Sequence, residues 1–79
     1  MATKHYAKDE KFLSLLGKRI KELRKGKGLT QEGLANEAEI GLAQVKRIEA
    51  GNINTSICSI YRITIALNIN VSKLFEELE

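Results

Sequence analysis

Apolar residues recur three and four positions apart in several separate stretches of this chain, and strict alternation is hard to find. Three-and-four spacing lines one face of a helix, whereas alternation would line one face of a strand. Asp9 stands before a first run with Phe12, Leu16, Ile20 and Leu23 on one face, and its carboxylate suits the free amides of a first helical turn. Lys25-Gly26-Lys27-Gly28 ends that run. Thr30 then caps a second run that turns Leu34, Ala35 and Ala38 inward and leaves Glu32 and Glu37 to water. After Glu39-Ile40-Gly41, a third run places Val45 and Ile48 inward, with Leu42, Ala43, Lys46 and Arg47 on the opposite side, and stops at Gly51-Asn52.

A fourth run, capped by Thr55 or Ser56, draws apolar contacts from Ile57, Ile60, Ile63, Ile65 and Leu67. Its isoleucines also suit a strand. The absence of a turn signal from 57 to 67, with Ile60, Ile63 and Leu67 on one helical face, resolves it as a helix. Asn70 opens a last short helix containing Val71, Leu74, Phe75 and Leu78. No proline interrupts any of these runs. The pattern predicts an all-α domain of five helices over residues 9–79, preceded by a polar, mobile arm over residues 1–8.

Seventy-nine residues, 43% hydrophobic and 29% charged, suffice for one modest core and leave no space for a second domain. So short a chain has little room for a substrate cleft with supporting layers around it. The net charge of +3 is mild but uneven, since residues 1–30 carry nine Lys or Arg against three acids and residues 31–79 carry four against seven. Lys18, Arg19, Lys21, Arg24, Lys25 and Lys27 therefore either solvate a helix face or offer a polyanion one side of the molecule.

Cys58 is the single cysteine and His5 the single histidine, so neither an internal disulfide nor a zinc set can be assembled. Cys58 is expected as a small buried or half-buried residue rather than a redox group. No nucleophile-base pair or paired carboxylate site forms around Cys58 or His5, so neither an enzyme nor a bound cofactor is expected. With no apolar stretch near the start and no apolar run close to eighteen residues, the expectation is a cytoplasmic protein without a membrane span.

Two short helices joined by about three residues, the second ending at a glycine, match what a helix-turn-helix requires. The opening Leu29-Thr30-Gln31-Glu32, the small Ala35 where two helices cross, and the ending Val45-Lys46-Arg47-Ile48-Glu49-Ala50-Gly51 resemble the phage-repressor/Cro-type (XRE) helix-turn-helix DNA-binding family. The likeness runs from about Leu16 to Leu78 and includes Ile65-Ala66-Leu67-Asn68-Ile69. It implies a lambda-repressor-like domain with the helix-turn-helix at helices two and three. Leu34, Ala38, Ile40, Val45 and Ile48 would form the shared core rather than contact DNA.

The resemblance carries residue roles with it. Thr30 and Gln31 fall where the family clamps a phosphate, and free helix N-terminal amides favour an anion there. Gly41, Leu42, Ala43, Gln44, Lys46 and Arg47 fall on positions that face base edges or flanking phosphates. Arg47 is the expected specificity residue, because its planar fork matches guanine O6 and N7. Gln44 is expected on adenine, Leu42 and Ala43 on thymine methyl groups, and Lys46 on a phosphate. Arg24 and Glu49 stand where the family ties helix one to the recognition helix through an ion pair. Two positions depart from the pattern: Glu39 replaces the usual turn glycine, and Gly41 replaces the usual capping hydroxyl.

A single recognition helix reads few base pairs, so the resemblance implies a homodimer on a pseudo-palindromic site, with transcriptional regulation, as a repressor, as the function. Its self-contact would lie around helix five and the loop before it, with Val71, Leu74, Phe75 and Leu78 as candidates, some of which must instead complete the core. The arm lysines Lys4, Lys8 and Lys11 either follow the DNA backbone or remain disordered. An antitoxin-like module that uses the same fold to hold a protein partner is the alternative. Restriction-modification controllers and toxin-antitoxin repressors of this size are subclasses that these residues do not separate.

Overall fold

The computed structural model describes residues 9–76 and residue 78; the arm expected over residues 1–8 lies outside the described residues. Five helices follow in order: α1 Glu10–Gly26, α2 Gln31–Ala38, α3 Leu42–Glu49, α4 Ile57–Leu67 and α5 Val71–Phe75. Side chains close the open amides at four of the five N-termini. Asp9, Thr30, Ser56 and Asn70 accept from the backbone N–H of Phe12, Gly33, Ser59 and Lys73 respectively. Gly41 caps α3 through its extended backbone alone, with no side-chain bond.

The core gathers Leu16, Ile20, Leu34, Ala35, Ala38, Val45, Ile48, Ile60, Ile63, Leu67, Leu74 and Leu78. Helix α2 packs on both α3 and α4, α1 packs on α3, and α5 rests on α1 and α4. Ala35, almost wholly buried, is the small residue at the crossing of α2. Burial of these aliphatic side chains is the main stabilising term, at roughly 1.5–3 kcal/mol for each fully buried Val, Leu or Ile.

Four expectations are corrected by this arrangement. The inward face of α1 is Leu13, Leu16, Gly17, Ile20 and Arg24, so Phe12 moves to the rim, where its ring stacks on Phe75 with centroids 6.3 Å apart. Leu74 and Leu78, expected at a subunit contact, lie in the core, and Phe75 is occupied by Phe12; of that set only Val71 is exposed. Leu74 and Leu78 complete the core there. On α4 the buried face is Ile60, Ile63, Thr64 and Leu67, which leaves Ile57 and Ile65 outside at 70% and 60% exposure. At one hundred degrees per residue Ile57 shares the side of the buried face and is left outside at the open first turn of the helix, whereas Ile65 lies about 140° round from Ile60. Cys58, on the same outer face, is exposed rather than buried.

Candidate nucleic-acid interface

Helices α2 and α3 are joined by Glu39, Ile40 and Gly41. The chain reverses because Glu39 takes the left-handed conformation, φ 58° and ψ 44°, and the Ile40 amide then bonds back to the Ala35 carbonyl at 3.1 Å. A side chain in that conformation costs about 1–2 kcal/mol, so the turn is formed under strain where glycine would relieve it. Arg62 of α4 reaches over the turn, with Nη1 3.4 Å from the Glu39 carbonyl and 3.6 Å from its carboxylate.

The pose of α3 is fixed at both ends by buried or half-buried polar bonds. At its C-terminal end Arg24 of α1 donates to Glu49 through Nε at 2.6 Å and Nη2 at 3.0 Å, while Nη1 bonds the Leu29 carbonyl at 2.8 Å. Both side chains are buried, and the hydrogen bond to Glu49 raises the Arg24 pKa above its ordinary value against the opposing effect of burial, with Glu49's charge adding to the rise. Near its N-terminal end, Gln44 donates from Nε2 to Thr55 Oγ1 and Ser59 Oγ, both at 2.9 Å. These bonds join α3 to the start of α4.

This geometry divides the residues singled out in the sequence. Ala43, Lys46 and Arg47 share an exposed strip on α3, and Thr30 and Gly41 are exposed at the helix starts beside it. Leu42 is half-buried against the core, and both amide protons of Gln44 are directed at α4, so these two do not stand in the open strip as expected. Gln31 is half-buried and donates to Glu49 Oε1 at 3.0 Å, which adds it to the Arg24–Glu49 cluster instead of leaving a free amide pointing outward. Leu42 is drawn inward by apolar contact with the core, and Gln31 and Gln44 each sit within reach of buried or half-buried acceptors.

Two contributors carry no motif signal in the sequence. A Cβ at Gly17 would fall 2.5 Å from the Ile48 carbonyl oxygen, so α1 approaches the backbone of α3 at a distance only glycine permits. Thr55, read only as a possible helix cap, and Ser59 form a pair of acceptors that orient Gln44. Polar neighbours eleven and fifteen residues away leave no local pattern.

The exposed strip has the character of a groove-reading surface: a helix of eight residues, two cations in its last turn, and a first turn whose amides no side chain covers. Residues 17–77 match the model of a family described as helix-turn-helix domain. The chain belongs to that helix-turn-helix family. It is 34% identical over 64 residues to the control protein C.MunI of a Mycoplasma species, covering 80% of this chain and 86% of that one. The restriction-modification controller C.AhdI from Aeromonas hydrophila superposes with a TM-score of 0.78 at 38% identity, covering 80% of this chain and 96% of the other. The controller C.Esp1396I, solved as a tetramer in complex with its natural 35 base-pair operator, is also similar, with a TM-score of 0.78, 33% identity, and coverage of 85% and 88%. As a helix-turn-helix domain of this branch, the chain has the all-α, five-helix architecture of those controllers. No helix among the described residues is long and apolar enough to cross a membrane.

Proposed function

We propose that this protein is a sequence-specific double-stranded DNA-binding transcriptional regulator of the restriction-modification controller type, a dimeric repressor on a pseudo-palindromic operator. The observation that carries this reading is the exposed strip of α3, with Arg47 and Lys46 standing out from a helix anchored by Glu49 at one end and Gln44 near the other. A rigidly posed helix is what base readout needs, since side chains must meet base edges within hydrogen-bond distance. The operator-bound tetramer of C.Esp1396I supports the same target class.

Within that reading Arg47 donates its fork to guanine, Ala43 packs on a thymine methyl group, and Lys46 neutralises a phosphate. Thr30 and the first-turn amides of α2 hold a phosphate on the flanking strand. Gly41 offers no hydroxyl, and the uncovered amides of the α3 first turn take that role. Gln31 and Gln44 position the two helices, and Leu42 seals the edge of the core beneath them. A genomic operator places the protein in the cytoplasm.

In vitro selection from a random duplex library tests the proposal, with the recovered site titrated by wild type and by Arg47→Ala. A two-fold symmetric motif whose preference at one base pair per half-site disappears in Arg47→Ala is the expected result. Recovery of no motif, with weak binding equal in both proteins, would remove DNA readout from the function and leave an antitoxin-like protein-binding module as the better description.

A further inference from the structure

Among the described residues, arginines and lysines divide by what they touch. Arg19, Arg24 and Arg62 are paired within the chain, to Glu76, Glu49 and Glu39 respectively. No lysine side chain has an ion-pair or hydrogen-bond partner among the described residues, and Lys18, Lys21 and Lys25 stand exposed together on α1. They line one shallow patch in which Glu22 is the single acid. Like charges at three- and four-residue spacing repel one another, so the row is either a solvated face or the seat of an anion. Its orientation decides between the two.

Helix α3 abuts α1 through its C-terminal end, where a Cβ at Gly17 would fall 2.5 Å from the Ile48 carbonyl oxygen and 2.6 Å from that of Glu49. On another side of α1, Arg19 donates to the Lys73 carbonyl of α5. These two contacts fix the rotation of α1. At one hundred degrees per residue, Lys21, Lys25 and Lys18 follow Gly17 at about 40°, 80° and 100° around the exposed side, and Glu22 lies farther off at about 140°. The rotation of α3 is fixed in the same way, by Glu49 toward α1 and Gln44 toward α4. Lys46 then stands about 60° from Glu49 on the exposed side, ahead of Ala43 and Arg47. The core lies on the other side of this junction, so the three α1 lysines face the same way as Lys46 and the exposed strip of α3.

We propose that the Lys18, Lys21 and Lys25 face of α1 is a second DNA surface, which holds the phosphate strand passing the C-terminal end of α3. The inference rests on the DNA-binding reading above and assigns residues of α1 to that function. An eight-residue helix is about 12 Å long, close to the width of the major groove, so the helix that abuts its end meets the strand walling the groove. The row from Lys18 to Lys25 spans about 10 Å, the axial rise of about three phosphates on one strand. A lysine ammonium on a flexible stem suits a phosphate and does not read a base edge. A protein partner would need acids at matching spacing, whereas a duplex supplies charge continuously. The contact therefore adds affinity without sequence preference and steadies the end of α3 in the groove.

Two variants of the full chain test the assignment: the triple Lys18→Gln/Lys21→Gln/Lys25→Gln, and Lys73→Gln, which removes an exposed charge from α5. Glutamine is nearly as good a helix former as lysine, and circular dichroism confirms that each variant is folded. Affinity for the selected site is measured at several salt concentrations. The triple variant should lower the slope of log affinity on log salt by about 3 per subunit and keep the preferred base at every position, while Lys73→Gln should leave the slope unchanged. Uncharged methylphosphonates placed one at a time around the site locate the contact. Wild type should lose affinity at a run of about three neighbouring phosphates, and the triple variant should lose nothing further there. An unchanged slope in the triple variant, the same drop per charge in Lys73→Gln, or equal methylphosphonate losses in wild type and triple variant overturns the proposal. Duplex selection keeps the two claims separate. A lowered slope on random duplex with no selected motif would retain the surface and remove the sequence-specific reading, whereas a selected motif with an unchanged slope would do the reverse. A wild type that binds no duplex overturns both.

Discussion

Arg24 and Glu49, twenty-five residues apart, meet through two hydrogen bonds of 2.6 and 3.0 Å where α1 crosses the end of α3. Gln31 and the Leu29 carbonyl complete the cluster, so one buried network joins α1, the entry to α2 and the recognition helix. Removing one partner leaves the other charged and desolvated, which costs about 3–5 kcal/mol for a buried pair. Glu49→Gln and Arg24→Met should each destabilise the fold by that order. The double variant Arg24→Met/Glu49→Leu should recover most of the loss, because neither charge is then stranded. Urea denaturation of the four proteins checks this. Titration is a poor substitute. The raised pKa of Arg24 makes its contribution complete below the ordinary arginine value and lost only as pH rises past the raised one, beyond the range in which the protein would be handled.

The turn of the motif supplies a stabilising change. Glu39 and Asn68 both adopt left-handed backbone, at φ 58° and 57°. Asparagine tolerates that region and glutamate does not do so readily. Glu39→Gly should therefore raise stability by about 1 kcal/mol, a shift of about 4–8 °C in Tm for a domain of this size, and Asn68→Gly should change little. The ion pair between Arg62 and Glu39 is exposed on both sides, so its loss subtracts little from the gain. Thermal melts of the two variants beside wild type decide the matter. An unchanged Tm for Glu39→Gly would mean that Arg62 holds the turn more firmly than its exposure implies.

The helices were legible in the sequence because each carries local signals: three-and-four periodicity, a capping side chain at every start but that of α3, and a glycine or asparagine near the ends of α1, α3 and α4. The turn at Glu39 was legible as a departure from a pattern, and the structure takes the strained conformation rather than reshaping the turn. The α1–α3 ion pair was legible only through the family resemblance, since nothing local links positions 24 and 49. What failed to show was the side each polar or apolar residue faces when two surfaces compete for it. Leu74 and Leu78 have the same apolar character whether they meet a partner or the core, and only the path of the chain after Asn70 assigns them inward. Gln44 and Gln31 look like free amides in sequence because their acceptors, Thr55, Ser59 and Glu49, are brought near by tertiary packing.

The close approach of α1 to α3 depends on Gly17. Its missing Cβ would stand 2.5 Å from the Ile48 carbonyl oxygen and 2.6 Å from that of Glu49, both backbone atoms that cannot step aside alone. Gly17→Ala should push the helices apart, destabilise the fold by about 1–3 kcal/mol as overpacking does, and disturb the Arg24–Glu49 geometry one to two turns away. Gly26→Ala is the control. Nothing lies within 4 Å of a Cβ there, so alanine should stabilise the last turn of α1 by about 0.5–1 kcal/mol. Denaturant midpoints for the pair should move in opposite directions.

Gln44 and Arg47 occupy the same short helix but should fail differently when truncated. Both amide protons of Gln44 are spent on Thr55 and Ser59, so Gln44→Ala loosens the pose of α3 without removing a base contact. Binding should weaken on the selected site while the preferred base at every position is kept. Arg47→Ala should cost about 1–3 kcal/mol on the preferred site and relax the preference at one base pair per half-site. A selection experiment run in parallel on both variants distinguishes the roles. A changed base preference in Gln44→Ala would mean that the side chain leaves α4 and reads DNA directly.

Lys46 separates attraction from readout. It is exposed one residue before Arg47 and carries a single charge on a flexible stem, suited to a phosphate and not to a two-point contact with a base. Binding to the phosphate backbone releases condensed counterions, so log affinity falls linearly with log salt in proportion to the phosphates neutralised. Lys46→Ala should therefore weaken binding to cognate and scrambled duplexes by the same factor and reduce the salt slope by about 1 per subunit. Arg47→Ala should reduce the gap between cognate and scrambled duplexes instead. Affinities measured at three salt concentrations for wild type and the two variants give both quantities at once. If Lys46→Ala narrows the cognate-to-scrambled gap as much as Arg47→Ala does, both side chains read bases, and the phosphate contacts must come from the N-terminal turns of α2 and α3.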